Sequence, residues 1–133
     1  KAKFVPPPPN SFALTSIPVL DLQRAQAFYG AVFSWTFQPQ TSSNQLIFFT
    51  PSSVMGTLSL VSAPDTPATE AAAAPSAGGV VNYILVQDVE ATLQKVTAAG
   101  GKVVKEMWVE GTHTELGRFC DTEGNLGGVL KWL

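Results

Sequence analysis

Ile17-Pro18-Val19-Leu20-Asp21-Leu22 leads into an amphipathic stretch, and Ile84-Leu85-Val86-Gln87-Asp88-Val89 leads into another. The second copy follows the first by 67 residues, about half of the 133-residue chain. In both, a short apolar strand ends at an Asp whose carboxylate can accept from the free amides of the first turn of a following helix. A unit repeated in this way predicts a pseudo-symmetric fold with a cavity between the copies.

Working outward from the first copy, residues 12–19 alternate as a strand. Phe12, Leu14, Ser16 and Pro18 lie on one face, and Ala13, Thr15, Ile17 and Val19 on the other. After Asp21, Leu22, Ala25, Tyr29 and Val32 recur at helical spacing with Phe28 beside them, which predicts a helix to about residue 32 or 33. Strands are expected at 35–38, 45–50 and 57–61, separated by the turn sequences Thr41-Ser42-Ser43-Asn44 and Pro51-Ser52-Ser53.

The second copy opens with a strand at 80–86. A helix capped by Asp88 follows, with Val89, Leu93 and Val96 as its buried stripe and Gly100 and Gly101 ending it. Strands are expected at 102–109, 116–121 and 127–132, with a loop at 110–114 and a hairpin turn at 122–125. Each half reads β-α-β-β-β. The domain reading is a Pro-rich extension at 1–10, a first module at 11–61, a linker at 62–79 and a second module at 80–133. The linker is rich in Pro, Ala and Gly and has no large apolar anchor, with a helical turn open at 69–74.

Composition bounds the function. Hydrophobic residues make up 45% and charged residues 14%, which suits a packed core rather than a disordered chain. Eight basic and ten acidic residues form no basic block, so nucleic acid and anionic membrane are poor partners. One cysteine excludes an internal disulfide framework and fits a reducing, cytoplasmic setting. No apolar run is long enough to span a bilayer, and residues 1–10 lack the apolar region of a signal peptide.

Asp-Leu-Gln-Arg-Ala-Gln-Ala-Phe-Tyr-Gly-Ala-Val-Phe-Ser-Trp at 21–35 resembles the first helix of the vicinal oxygen chelate superfamily, which holds glyoxalase I, bleomycin resistance proteins and extradiol dioxygenases. The run Gly-Arg-Phe-Cys-Asp-Thr-Glu-Gly-Asn-Leu-Gly-Gly-Val-Leu-Lys-Trp at 117–132 resembles its terminal hairpin, and residues 81–104 its second strand and helix. The resemblance implies an α+β fold of two βαβββ modules in pseudo-symmetric pairing, with curved mixed sheets around a central cleft. In metal-dependent members the ligands come from the first and last strands of each module. Carried over, the first-strand positions are Leu14 and Val81, with inward neighbours Ser16 and Tyr83, and the fourth-strand positions lie near Thr57 and Gly128. None is a strong ligand for a divalent cation. The expectation is therefore the scaffold and cleft with no metal and no cofactor. A homodimer is one arrangement the family implies.

His113, between Glu110 and Glu115, could act as a general base, although a solvated loop is the simpler account. Tyr83 and Ser16 hold equivalent strand positions facing the cleft; Tyr83 could polarise a carbonyl, and both could be plain cavity lining. Phe48, Trp108 and the other strand aromatics Trp35, Phe37 and Trp132 could stack on a flat ligand, but core packing is the commoner use, with Trp108 the expected exception. Arg118 could grip a carboxylate, and Thr57 completes the ligand-contact set. Cys120 reads as a buried small hydrophobe rather than a nucleophile. Glu110 and His113 share a metal-motif spacing without the helix that motif needs, and Gly124-Asn125-Leu126-Gly127-Gly128 lacks the helix of a phosphate cradle.

Three functions follow. The first is metal-independent binding of a small apolar or aromatic molecule. The second is a lyase or isomerase using His113 or Tyr83 as acid or base. The third is an interaction module whose cleft is filled by side chains.

Overall fold

The computed structural model describes residues 6–39, 43–52, 54–61 and 80–133. The linker at 62–79, its helical turn and part of the turn at 41–44 fall outside the described residues. Two successive βαβββ modules are present. The first comprises β1 (Leu14–Val19), α1 (Leu22–Phe33), β2 (Thr36–Phe37), β3 (Gln45–Phe49) and β4 (Met55–Leu60). The second comprises β5 (Tyr83–Leu85), α2 (Val89–Ala98), β6 (Lys102–Glu110), β7 (Thr114–Cys120) and β8 (Leu126–Trp132). Each module forms a four-stranded mixed sheet, ordered β1-β4-β3-β2 and β5-β8-β7-β6. The first strand of each pairs in parallel with the last, and the other pairs are antiparallel. Among the described residues no helix is long and apolar enough to cross a membrane.

Both caps form as the sequence predicts. Asp21 accepts from the Arg24 amide at 3.0 Å and Asp88 from the Ala91 amide at 2.9 Å. The apolar stripes Leu22, Ala25, Phe28, Tyr29, Val32 and Val89, Leu93, Val96 are buried in one shared core with Ile17, Val19, Leu58, Phe119 and Val129. The two end glycines of α2 divide their work. Gly100 takes φ +97°, which a Cβ would oppose, whereas Gly101 supplies space: a Cβ there would lie 2.7 Å from the Cys120 carbonyl.

Some strand limits differ from expectation. Residues 12 and 13 stay outside β1, which starts where Leu14 meets Met55. Only residues 83–85 of the expected 80–86 strand pair with β8. At the other hairpin the turn is tighter than the expected 110–114 loop. Gly111 adopts φ +56°, so Glu110 pairs directly with Thr114 and both strands lengthen toward the turn.

The pseudo-symmetry extends to one packing device. Phe48 sits opposite Gly56 in the first sheet, and Phe119 opposite Gly127 in the second. Each ring lies over its glycine: a Cβ at Gly56 would approach Phe48 Cζ within van der Waals overlap, and one at Gly127 would lie 2.6 Å from Phe119 Cζ. Here glycine in a strand marks a place where a buried ring takes the room of a side chain.

The modules are locked together by the β7–β8 hairpin. Glu123 is only 2% exposed. Its Oε1 accepts from the Leu20 and Asp21 amides at 2.8 and 2.9 Å and from Arg24 Nη2 at 3.0 Å. Its Oε2 accepts from Arg24 Nε at 2.6 Å and from the Thr122 hydroxyl at 2.9 Å. Beside it, buried Asp121 accepts from the Tyr29 hydroxyl at 2.6 Å, the Glu123 and Asn125 amides at 2.8 Å, and the Asn125 side-chain amide at 3.2 Å. Asn125 also donates to the Pro18 carbonyl at 2.7 Å. Burial pushes the Tyr29 hydroxyl well above its usual range, reinforced by Asp121, so it stays a donor at neutral pH.

Burial by itself would raise the Glu123 carboxyl. The Arg24 hydrogen bond, with the Leu20, Thr122 and Asp21 donors, overcomes it and holds the group below the usual carboxylate range. A carboxyl lowered on folding contributes stability that is present above its unfolded pKa, about 4.3, and lost as pH falls through the folded value. Denaturation midpoints should therefore be level above about pH 5 and decline below about pH 4. Glu123→Gln should lower the midpoint at neutral pH and shrink the acid-dependent decline. Glu123→Ala, which strips a buried set of donors of their acceptor, should cost about 3 kcal/mol in chemical denaturation. Gly127→Ala should cost roughly 1–3 kcal/mol by forcing the Phe119 ring off its seat.

Candidate functional site

Because the β3–β4 turn lacks the carboxylates of its counterpart, the pseudo-symmetry fails there and a pocket results. The positions matching Asp121-Thr122-Glu123-Gly124-Asn125 are Thr50-Pro51-Ser52-Ser53-Val54. Thr50 Oγ1 donates to the Val54 carbonyl at 2.7 Å and pairs with the Ser52 hydroxyl at 3.1 Å, and Ser52 Oγ accepts from the Val54 amide at 3.3 Å. These hydroxyls saturate within their own turn. Among the described residues they make no clasp onto the second module.

The result is a cavity of about 680 Å³ between the turn, the edge strands β1 and β5, and the start of β8. That size lies within the range of small-molecule sites. Its floor is aromatic. Tyr29 and Trp35 stack with centroids 4.9 Å apart and planes at 4°, and Trp35 and Phe48 at 4.5 Å and 3°. Phe119 closes the side belonging to the second module. The exposed part of the lining is uncharged and mixed, with polar Ser16, Ser52 and Asn82 beside apolar Val54, Val80 and Leu85; Thr50 and Tyr83 add hydroxyls. Thr15 and Asn82, which are equivalent by the 67-residue repeat, meet across the two edge strands, where Asn82 Nδ2 donates to Thr15 Oγ1 at 3.2 Å.

Of the residues singled out from the sequence, Ser16, Phe48 and Tyr83 line this pocket. Thr57 is not in the lining. It pairs with Ser16 across β1 and β4 and donates to Ser16 Oγ at 3.2 Å, with Ser59 completing a hydroxyl cluster. Arg118 is also outside the lining, but its Nε donates to the Tyr83 hydroxyl at 2.7 Å. Its guanidinium lies 5.7 Å from the Trp108 ring, which also takes Lys105 Nζ at 3.9 Å. His113 stands apart in the β6–β7 turn. Its Nδ1 bonds the Thr114 hydroxyl at 2.6 Å, and its carbonyl accepts from the Leu133 amide at 2.9 Å.

Trp35 and Phe48 are core residues as expected, but Trp132, expected to pack inside, is 67% exposed at the C-terminal end of β8, beyond the last residue of β8 that pairs with β5. Cys120 is partly exposed rather than buried. Burial, with Asp121 beside it, pushes its thiol up, which opposes a nucleophilic role.

The strand register shows how the carried positions lie relative to one another. Thr57 lies opposite Ser16, not Leu14, and Gly128 lies opposite Tyr83, not Val81. The Tyr83 ring covers Gly128, where a Cβ would approach it within overlap distance. Two hydroxyls bonded to each other and an aromatic ring seated on a glycine do not fit a divalent cation. Among the described residues no group of three or more His, Cys, Asp or Glu side chains gathers elsewhere. Trp35, named from the sequence among aromatics that could stack on a ligand but favoured as core, also lines the pocket; sequence reasoning missed Asn82, Tyr29 and Phe119 as pocket residues. Asn82 alone had a signal, its repeat relation to Thr15.

The paired βαβββ modules define the vicinal oxygen chelate architecture. The chain belongs to the Glyoxalase/Bleomycin resistance protein/Dioxygenase superfamily, whose sequence model it matches over residues 11–127. It is 33% identical over 119 residues to a glyoxylase-like domain-containing protein of Didymella fabae, covering 85% of this chain and 87% of that one. In fold it is similar to a glyoxalase/bleomycin resistance protein/dioxygenase family enzyme from Burkholderia phytofirmans PsJN, with TM-score 0.77, 17% identity, and 92% and 98% of the two chains covered. It is also similar to TnmS3, an antibiotic binding protein from Streptomyces sp. CB03234, with TM-score 0.66, 18% identity, and 93% and 97% covered.

Proposed function

We propose that this chain binds a small, partly aromatic molecule in the pocket between its modules, without a metal ion. The observation that carries this reading is the stacked series Tyr29–Trp35–Phe48 at the floor of a 680 Å³ cavity whose rim supplies hydroxyls and amides. The carried ligand positions and their inward neighbours hold aliphatic groups (Leu14, Val81), hydroxyls (Ser16, Thr57), a phenol (Tyr83) and a glycine (Gly128), which supports metal independence. The likeness to an antibiotic binding protein agrees with a binding role.

A lyase or isomerase role would fall to Tyr83, which lines the pocket and is held by Arg118; His113, outside the lining, fits it less well. A homodimer is supported by apolar side chains left exposed on the sheets, Leu14, Val104 and Trp132 among them. The single thiol suits a reducing cytoplasm.

Trp35 is the one tryptophan in the pocket lining, so a Trp108→Phe/Trp132→Phe variant makes it the sole reporter. Titrated with naphthalene- to anthracene-sized compounds, this variant should show a saturable change in Trp35 emission. A flat response across the panel would remove the binding function. Protein purified without chelator should carry no stoichiometric zinc, nickel, manganese or iron by elemental analysis; one tightly held ion per chain contradicts the metal-free reading.

A further inference from the structure

We infer that the pocket selects an uncharged aromatic ligand bearing a hydrogen-bond acceptor, and discriminates against anions and cations of the same shape. This rests on the binding function proposed above. Among the described residues, no lining side chain is Asp, Glu, Lys, Arg or His. The charges nearest the lining sit behind it and are already engaged. Asp121 is held by Tyr29, Asn125 and the Glu123 amide, and Glu123 by Arg24. Arg118 is directed onto the Tyr83 hydroxyl and flanked by Trp108. An ion placed in this cavity would lose water without gaining a counter-charge, and that loss is large for a full charge and small for a carbonyl or ether.

The polar groups that remain specify the acceptor. The Tyr83 oxygen takes the Arg118 Nε proton at 2.7 Å, so its own proton is the one left to give. Arg118 polarises that O–H bond and makes it the stronger donor. Asn82 donates one amide proton to Thr15, and among the described residues no acceptor takes the other. By contrast, Tyr29 and Asn125 spend their side-chain protons on Asp121 and on the Pro18 carbonyl. The donors on the second-module side therefore face an acceptor, while the opposite wall is aromatic.

Three near-isosteres test this: 2-acetylnaphthalene, 2-naphthoate and 2-naphthamidinium, titrated near neutral pH by calorimetry into the whole chain. The ketone should bind, and both ions should bind at least about tenfold more weakly. Leu85, a lining residue that is 58% exposed and so tolerant of change, offers a charge implant. Leu85→Lys should tighten naphthoate and weaken naphthamidinium. Tyr83→Phe keeps the ring over Gly128 and should weaken the ketone about five- to tenfold while leaving 2-ethylnaphthalene unchanged. Equal affinity for the three probes, or tighter binding of either ion, overturns the charge selection and leaves the binding function standing. Unchanged ketone affinity in Tyr83→Phe overturns the acceptor assignment. Failure of all the probes, the hydrocarbon included, overturns this inference together with the binding function beneath it.

Discussion

One buried carboxylate holds the two halves in register. Glu123 reaches from the last hairpin of the second module to the start of the first helix, where it takes the amides of Leu20 and Asp21 and both nitrogens of the Arg24 fork. Those amides belong to the entry of α1, where backbone donors are free and the helix end favours negative charge. An ion pair taken out of water holds the fold only when its remaining valences are met, and here five hydrogen bonds meet them. Asp121 adds a second anchor through Tyr29, so the hairpin is tied to both the beginning and the middle of α1.

Among the described residues the clasp is made on one side only, and the pocket lies beside the turn that lacks it. The repeat is kept in the caps, the helix stripes, the sheet order and the seating of a phenylalanine over a glycine. It is broken where Thr50 and Ser52 replace Asp121 and Glu123. A short hydroxyl bonds its own turn, whereas a carboxylate one bond (Asp) or two bonds (Glu) farther out can serve a neighbouring element. The first-module turn therefore leaves the second module uncovered, and the space between them is floored by the core aromatics that α1 and β3 share.

The chemistry of that space follows from what borders it. Among the described residues, no charged side chain lines the pocket, and the charges bonded to its lining are taken up in the clasp and in the Tyr83–Arg118–Trp108 group. Ser16 and Thr57 carry hydroxyls that bond each other across β1 and β4, and the Tyr83 ring fills the place of a side chain at Gly128.

The amino-acid sequence by itself determined the doubled βαβββ order, the two Asp caps and both buried helix stripes. Each is written within about ten residues, and periodicity and capping act over that range. It also led to the expectation that Ser16 and Tyr83 would face a cavity, because strand alternation places them and the repeat makes them equivalent, while Phe48 read mainly as core. Only the tertiary structure decided that Glu123 and Arg24, 99 residues apart, would meet, that Trp132 would lie outside the core, and that His113 would be left in a turn away from the pocket. A glutamate in a hairpin turn reads as solvated until packing brings donors around it. Contacts across that separation depend on how the modules dock, which no local pattern encodes.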